Sequence, residues 1–273
     1  QRPVHVNYAD LNNDGLEDIV VCSFGYLKGN LSWYENTGGG YAKHTLKNMP
    51  GALKTELIDL NKDGHLDILA LIAQGDEGFY LFRGDAQGNF SEQKIYNFPP
   101  SYGSSYFELA DFNRDGLPDI LYVNGDNGDY SKPVHKPYQG IRILTNQGNT
   151  TFEESYHFHM NGPFKAIAQD FDLDGHLDIA CISYFPDYNR TPQEGFLLLK
   201  NKGHEKPGFE AFSTPGAING KWLVAECKDY DAGGDMDLLL GNSLIMSLNV
   251  PEEYRKRWNE QPVTMLLLEN KTR

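Results

Sequence analysis

Aspartates recur in this chain at a spacing that suits the capture of a hard cation. Five nine-residue stretches begin and end in Asp, starting at Asp10, Asp59, Asp111, Asp170 and Asp229. Four of them place oxygen-bearing side chains at positions one, three, five and nine: Asp10, Asn12, Asp14, Asp18; Asp59, Asn61, Asp63, Asp67; Asp111, Asn113, Asp115, Asp119; Asp170, Asp172, Asp174, Asp178. Glycine at position six permits a tight bend, and position seven can add a backbone carbonyl. An ordinary Asx turn needs one Asx and a glycine, not four spaced oxygens. Such a cage suits Ca2+, whereas Mg2+ demands a rigid octahedron and zinc would call for His and Cys. About four to five structural calcium ions are therefore expected. The fifth loop keeps Asp229, Asp231 and Asp237, but Gly233 stands at position five, so weaker binding or none is expected there unless Asp235 compensates. His65 and His176 sit at position seven, where the backbone rather than the ring would bind.

The chain carries 38 acidic and 24 basic residues, a formal charge of −14 over 273 residues. Sixteen of those acids occupy the loop positions named above, and four bound calcium ions would bring the charge to −6. An acidic excess argues against a nucleic-acid partner, because phosphate binding needs a basic face. At 40% hydrophobic and 12% aromatic, the sequence can bury a sizeable core. No apolar run approaches the roughly 18 residues needed to span a bilayer. Cys22 and Cys181 lie inside apolar runs and are expected as small core residues, not as a disulfide pair. The chain opens at Gln1 without a basic and apolar leader, so any targeting segment is expected to have been removed or to lie outside this sequence.

The loops are spaced 49, 52, 59 and 59 residues apart, and each sits in the same surroundings. A short alternating segment precedes it (Val4 to Ala9, Thr55 to Ile58, Tyr106 to Ala110, Ala166 to Gln169, Leu223 to Lys228), which reads as a strand with one wet face. A nearly continuous apolar run follows, such as Ile68 to Ile72, as expected of a strand covered on both faces. A third strand comes next (Leu31 to Tyr34, Phe79 to Phe82, Ile141 to Leu144, Phe196 to Leu199, Met265 to Leu268), then a turn and a fourth strand from Tyr41, Phe90, Phe152 and Phe209. Only residues 251–260 look helical. The fold expected is all-β: a β-propeller of four-stranded antiparallel blades, here called A to D, with five repeats. These run over approximately residues 1–48, 49–100, 101–160, 161–215 and 216–273, as one propeller domain or a segment of one.

Asp-x-Asn/Asp-x-Asp-Gly-x-x-Asp followed by an apolar strand resembles the FG-GAP/VCBS repeat of integrin α-chain propellers and of many secreted bacterial proteins, over essentially the whole chain. Leu31-Ser-Trp-Tyr-Glu-Asn36 and Asp119-Ile-Leu-Tyr-Val123 look like the bacterial VCBS type. The resemblance implies a calcium-binding propeller that is extracellular, on the cell surface or periplasmic. It also implies rings of six to eight blades. Five repeats, the last without a fourth strand after Leu268, are then expected to be part of a larger ring, the alternative being five blades that close with a defect. It implies little about activity, since such folds host lectins, adhesion modules and polysaccharide lyases.

Length variation falls on the B–C and D–A connections, opposite the acidic loops, and long loops on a rigid scaffold are where binding usually resides. Candidate ligand residues there are Tyr102, Tyr130, His135, Tyr138, His157, Tyr184, Arg190 and Trp222, whose rings and polar tips suit sugars or peptides. The alternative is that these aromatics only pack the loops down. Innermost strands should line the axis with Asn7, Glu56, Glu108, Ile167 and Glu226, nearer the mouth with His5, Lys54, Tyr106 and Lys165. These form either a wet channel wall or an acid–base set. The leading reading is a non-catalytic binding module for glycans or a protein partner; a polysaccharide lyase or glycoside hydrolase, and a structural spacer, are the alternatives.

Overall fold

The computed structural model describes residues 2–25, 27–85, 87–128, 134–203, 207–243 and 250–272. Its strands form five antiparallel meanders. The first comprises β1 (Pro3–Ala9), β2 (Asp18–Ser23), β3 (Asn30–Asn36) and β4 (Tyr41–Lys47). The second has β5 (Ala52–Ile58), β6 (Asp67–Ile72), β7 (Gly78–Gly84) and β8 (Phe90–Asn97). The third has β9 (Ser104–Ala110), β10 (Asp119–Asn124), β11 (Gly140–Asn146) and β12 (Phe152–His159). The fourth has β13 (Pro163–Gln169), β14 (Asp178–Ser183), β15 (Phe196–Asn201) and β16 (Phe209–Phe212). The fifth has β17 (Trp222–Lys228), β18 (Asp237–Asn242) and β19 (Met265–Leu268), with helix α1 (Glu252–Glu260) between the last two. Each sheet is a propeller-type blade. The fifth has three strands among the described residues, and Met265 and Leu267 stand exposed on β19.

First strands begin one to three residues earlier than alternation indicates. The cause is a repeated bulge: register slips between Pro3 and His5, Ala52 and Lys54, Pro163 and Lys165, and Trp222 and Val224. An inserted residue reverses the in-out order, so the periodic signal becomes readable only beyond it. Second strands behave as their composition dictates, with every residue of β6, β10 and β14 buried.

The chain separates into two compact units, residues 1–106 with 146–153, and residues 107–145 with 154–273. Within the first unit, Val20, Leu31 and Trp33 of the first sheet pack against Ile68, Ala70 and Phe82 of the second. Cys22 belongs to this core at 0% exposure, and burial pushes its thiol up to about 12. Within the second unit, Ala180, Ile182 and Phe196 of the fourth sheet meet Trp222, Ala225 and Leu240 of the fifth.

Candidate functional site

Each acidic loop joins the first strand of a sheet to its second, and each is wound by its own amides. The position-one aspartate accepts from the position-five N–H through Oδ1 and from the glycine N–H at position six through Oδ2. In the first loop these are Asp14 N at 3.1 Å and Gly15 N at 2.8 Å from Asp10. Asp59, Asp111, Asp170 and Asp229 repeat the pair. The position-five carboxylate then accepts from the position-seven N–H at 2.8 to 2.9 Å in loops one to four. The glycine at six adopts positive φ in all five loops, from 79° to 92°. Position four does so too, although it is never glycine: Asn13, Lys62, Arg114, Leu173 and Ala232 have φ between 58° and 62°. Left-handed backbone is costly for a branched or long side chain, so this recurrence marks a loop whose hydrogen bonds over-determine its shape.

Position nine plays a different part. Asp18, Asp67, Asp119 and Asp237 are 0% exposed, and Asp178 is 2% exposed. Asp18 Oδ2 accepts from Leu11 N at 3.1 Å and Oδ1 from Asn36 N at 2.8 Å. Asp67 does the same with Leu60 N and Gly84 N, Asp178 with Phe171 N and Asn201 N, and Asp237 with Tyr230 N and Asn270 N. The carboxylate thus staples the start of the acidic loop to the end of the third strand. Burial pushes the carboxyls of Asp67 and Asp178 above the usual range, against the pull of these N–H donors.

The donor set fits a hard cation. Asp170, Asp172 and Asp174 each offer a carboxylate oxygen, all within 4.8 Å of one another, as do Asp229, Asp231 and Asp237. That is about the span between two oxygens across an ion with Ca–O bonds near 2.4 Å. In loops one to three an Asn replaces the third carboxylate, its amide turned to Asp14, Asp63 or Asp115. Lys200 pairs with Asp172 at 2.5 Å and holds its carboxyl below the ordinary range. A buried oxygen without a hydrogen bond sits in the fifth loop: Asp235 Oδ1.

Antiparallel order places the B–C and D–A connections at the other end of each sheet. Of the ligand residues expected there, Tyr130 lies outside the described residues. In the first unit, Tyr102 stacks on Phe98 with centroids 5.9 Å apart. In the second unit, His135 is exposed, its Nε2 3.7 Å from Asp187 Oδ2, and Arg190 is exposed on the turn that Asp187 caps. Tyr138 contributes its carbonyl, which accepts from Arg142 and Asn124. His157 is exposed on β12, with Nε2 3.4 Å from the Gln139 carbonyl. Tyr184 is half-buried, with the Lys221 ammonium 3.6 Å from its ring centroid. Trp222 departs from expectation: it is 0% exposed and its indole N–H is donated to the Ala217 carbonyl at 2.9 Å. The bulge at the start of β17 turns it into the core, so it offers no face to a ligand. Packing accounts for other loop aromatics as well. Tyr188, Tyr254 and Trp258 cluster, and Trp258 donates to the Ile218 carbonyl at 2.9 Å, which docks α1.

First-strand polar groups are tied to neighbours. Asn7 donates to the Thr55 carbonyl at 2.7 Å, Lys54 pairs with Glu56, Lys165 pairs with Glu226 at 2.9 Å, and Glu108 accepts from Ala168 N. His5 accepts from Thr55 N at 3.3 Å, and burial, helped by Lys54, lowers its pKa to about 4. Sequence reasoning missed the partners of the staple: Asn36 and Asn201, which end the third strands of their sheets, and Asn270, two residues beyond the end of its own. Each also donates its amide back to the residue before the position-nine Asp, as Asn201 does to the Leu177 carbonyl at 3.0 Å. An Asn recurring after that strand was the available signal.

Residues 10–70 and 59–122 match the FG-GAP-like repeat. The chain is 28% identical to human cartilage acidic protein 1 over 183 residues, covering 63% of this chain and 26% of that protein. It is 32% identical to the Xenopus tropicalis protein of the same name over 152 residues, covering 52% and 21%. The chain therefore spans about a quarter of the length of the curated relatives it matches. Among solved structures, the exotype rhamnogalacturonan lyase YesX superposes with a TM-score of 0.52 at 12% identity, covering 99% of this chain and 48% of that one. At that identity the likeness is one of fold alone.

Proposed function

Because residues 10–122 match the FG-GAP-like repeat, we propose that this chain is an FG-GAP-repeat protein and a calcium-stabilised β-propeller module. It works outside the cytoplasm and binds a glycan or protein partner with the face opposite its acidic loops. The observation that carries the calcium part is one loop geometry built five times, with carboxylate oxygens gathered in loops four and five at the spacing of ligands around a single ion. Asp10, Asn12, Asp14 and Asp18, and their counterparts in loops two to four, would hold the ions. The bound cation supplies positive charge that relieves repulsion among the carboxylates, and the loop amides fix those carboxylates beforehand. Millimolar calcium is extracellular, and the relatives are named for cartilage and for their acidity, which the charge of −14 shares.

For the opposite face, the support is that His135 and Arg190 stand exposed around the Asp187 turn, and that Tyr188 of the same loop as Arg190 packs against Tyr254 and Trp258 of α1. Polar tips on a packed platform suit recognition without large ordering costs. A glycan and matrix-protein array read with calcium and with EDTA tests this, alongside assays for new reducing ends and unsaturated sugars. Retention on the array without product formation supports the module. Product formation would favour a lyase or hydrolase instead, and silence in both would favour a spacer.

A further inference from the structure

The fifth acidic loop lacks the position-five carboxylate, yet its geometry points to a complete cation site with a substituted ligand: we propose that Asp235, at position seven, takes the place that Asp14, Asp63, Asp115 and Asp174 fill in the other loops. This rests on the calcium reading of those loops and extends it to one that the repeat pattern alone would discard.

Three observations carry it. Asp229, Asp231 and Asp237 each bring a carboxylate oxygen within 4.8 Å of the others, so three ligands are already gathered. Asp235 is only 3% exposed, and its Oδ1 is buried without a hydrogen-bond partner among the described residues. A carboxylate oxygen in that state is costly unless something positive faces it. Its direction is fixed by the neighbouring glycine: a Cβ built on Gly233 would lie 3.2 Å from Asp235 Oδ1 and 2.7 Å from Asp231 Oδ1. Asp235 therefore reaches back over Gly233 into the space that a position-five side chain would enter. Its counterpart in the first loop, Leu16, is 37% exposed and lies on the outside. The resulting set has four carboxylates and no amide, as in loop four, whereas loops one to three each have three carboxylates and an Asn. More ligand charge means tighter binding, so loop five should rank with loop four in affinity.

Flow dialysis of the intact chain with radioactive calcium, together with Tb3+ luminescence excited through tyrosine, tests the assignment. Tyr230 occupies position two of this loop, where the other loops carry Leu or Phe, and Tyr230→Phe sets the background. Wild type should bind five ions. Asp235→Ala should bind four, with terbium emission falling to the Tyr230→Phe level, and Gly233→Asp combined with Asp235→Ala should restore the fifth. If Asp235→Ala does not fold, Asp235→Asn should weaken one site by roughly tenfold or more and leave the others unchanged. Four ions in both wild type and Asp235→Ala, or five in both, overturns the assignment while leaving calcium in loops one to four intact. No ions in wild type would refute the calcium reading itself.

Discussion

Removing the Asp67 carboxylate should separate the two jobs done within one acidic loop. Asp67 Oδ2 accepts from Leu60 N at 3.2 Å and Oδ1 from Gly84 N at 3.1 Å, and the residue is fully buried. Asp67→Ala leaves two amide donors without partners, each costing about 1 to 3 kcal/mol. Burial already raises the carboxyl's pKa, so removing the ionised group returns part of that penalty. A net loss of about 2 to 4 kcal/mol is expected in EDTA, and a larger one in calcium, because position nine is also a ligand of the ion. Asp63 is the control. It is exposed and accepts only from its own loop, from His65 N at 2.9 Å and from the Asn61 amide at 2.8 Å. Asp63→Ala should therefore cost much less than Asp67→Ala in EDTA. It should cost about 2.7 kcal/mol more once calcium stands a hundredfold above its dissociation constant, because that linkage energy is lost. Urea denaturation of both variants in EDTA and in calcium reads the difference, and hydrogen exchange at the Leu60 and Gly84 amides reads it locally. If Asp67→Ala falls within about 0.5 kcal/mol of Asp63→Ala in EDTA, and those two amides exchange no faster than in wild type, the staple is refuted.

Leu173 holds a left-handed conformation at φ 58° while 54% exposed, so Leu173→Asn should raise stability by about 0.5 to 1 kcal/mol in a denaturant titration. Trp222→Ala should destabilise by about 3 to 5 kcal/mol, whereas His135→Ala and Arg190→Ala should leave the melting temperature unchanged and weaken capture on the array. His5 faces Lys54 and Glu56, and its folded pKa of about 4 lies below the ordinary 6.5. The unfolded chain therefore takes up the proton first: His5 favours folding fully above pH 6.5, and that stability is lost as pH falls toward about 4. The difference in stability between wild type and His5→Gln, measured across that window, should shrink with falling pH.

Much of this was readable from residue spacing, for reasons that also mark where reading stops. Glycine at six and oxygens at one, three and five announce a loop because local hydrogen bonds alone define it. The third strand Met265–Leu268 falls where its apolar run does because no bulge interrupts its pairing with β18. Bulges at the starts of β1, β5, β13 and β17 are non-local, set by pairing with the second strand, and they misdirected both the strand starts and the face assigned to Trp222. The burial of position nine was hidden for the same reason: its partners, Asn36, Gly84, Asn201 and Asn270, lie 17 to 33 residues away. Gly233 read as a missing ligand, with Asp235 only a candidate substitute, because the direction a position-seven side chain takes is not written in a pattern of fixed positions.

Differential scanning calorimetry of the intact chain in excess calcium, then in EDTA, then with magnesium in place of calcium, tests the central claim most directly. A ligand that binds only the folded state must raise its stability, and one ion held at a hundredfold excess over its dissociation constant is worth about 5 to 10 °C. With calcium in the acidic loops, the melting temperature should fall by at least that amount in EDTA and be restored by calcium but not by magnesium. An unchanged melting temperature across the three conditions would contradict that claim.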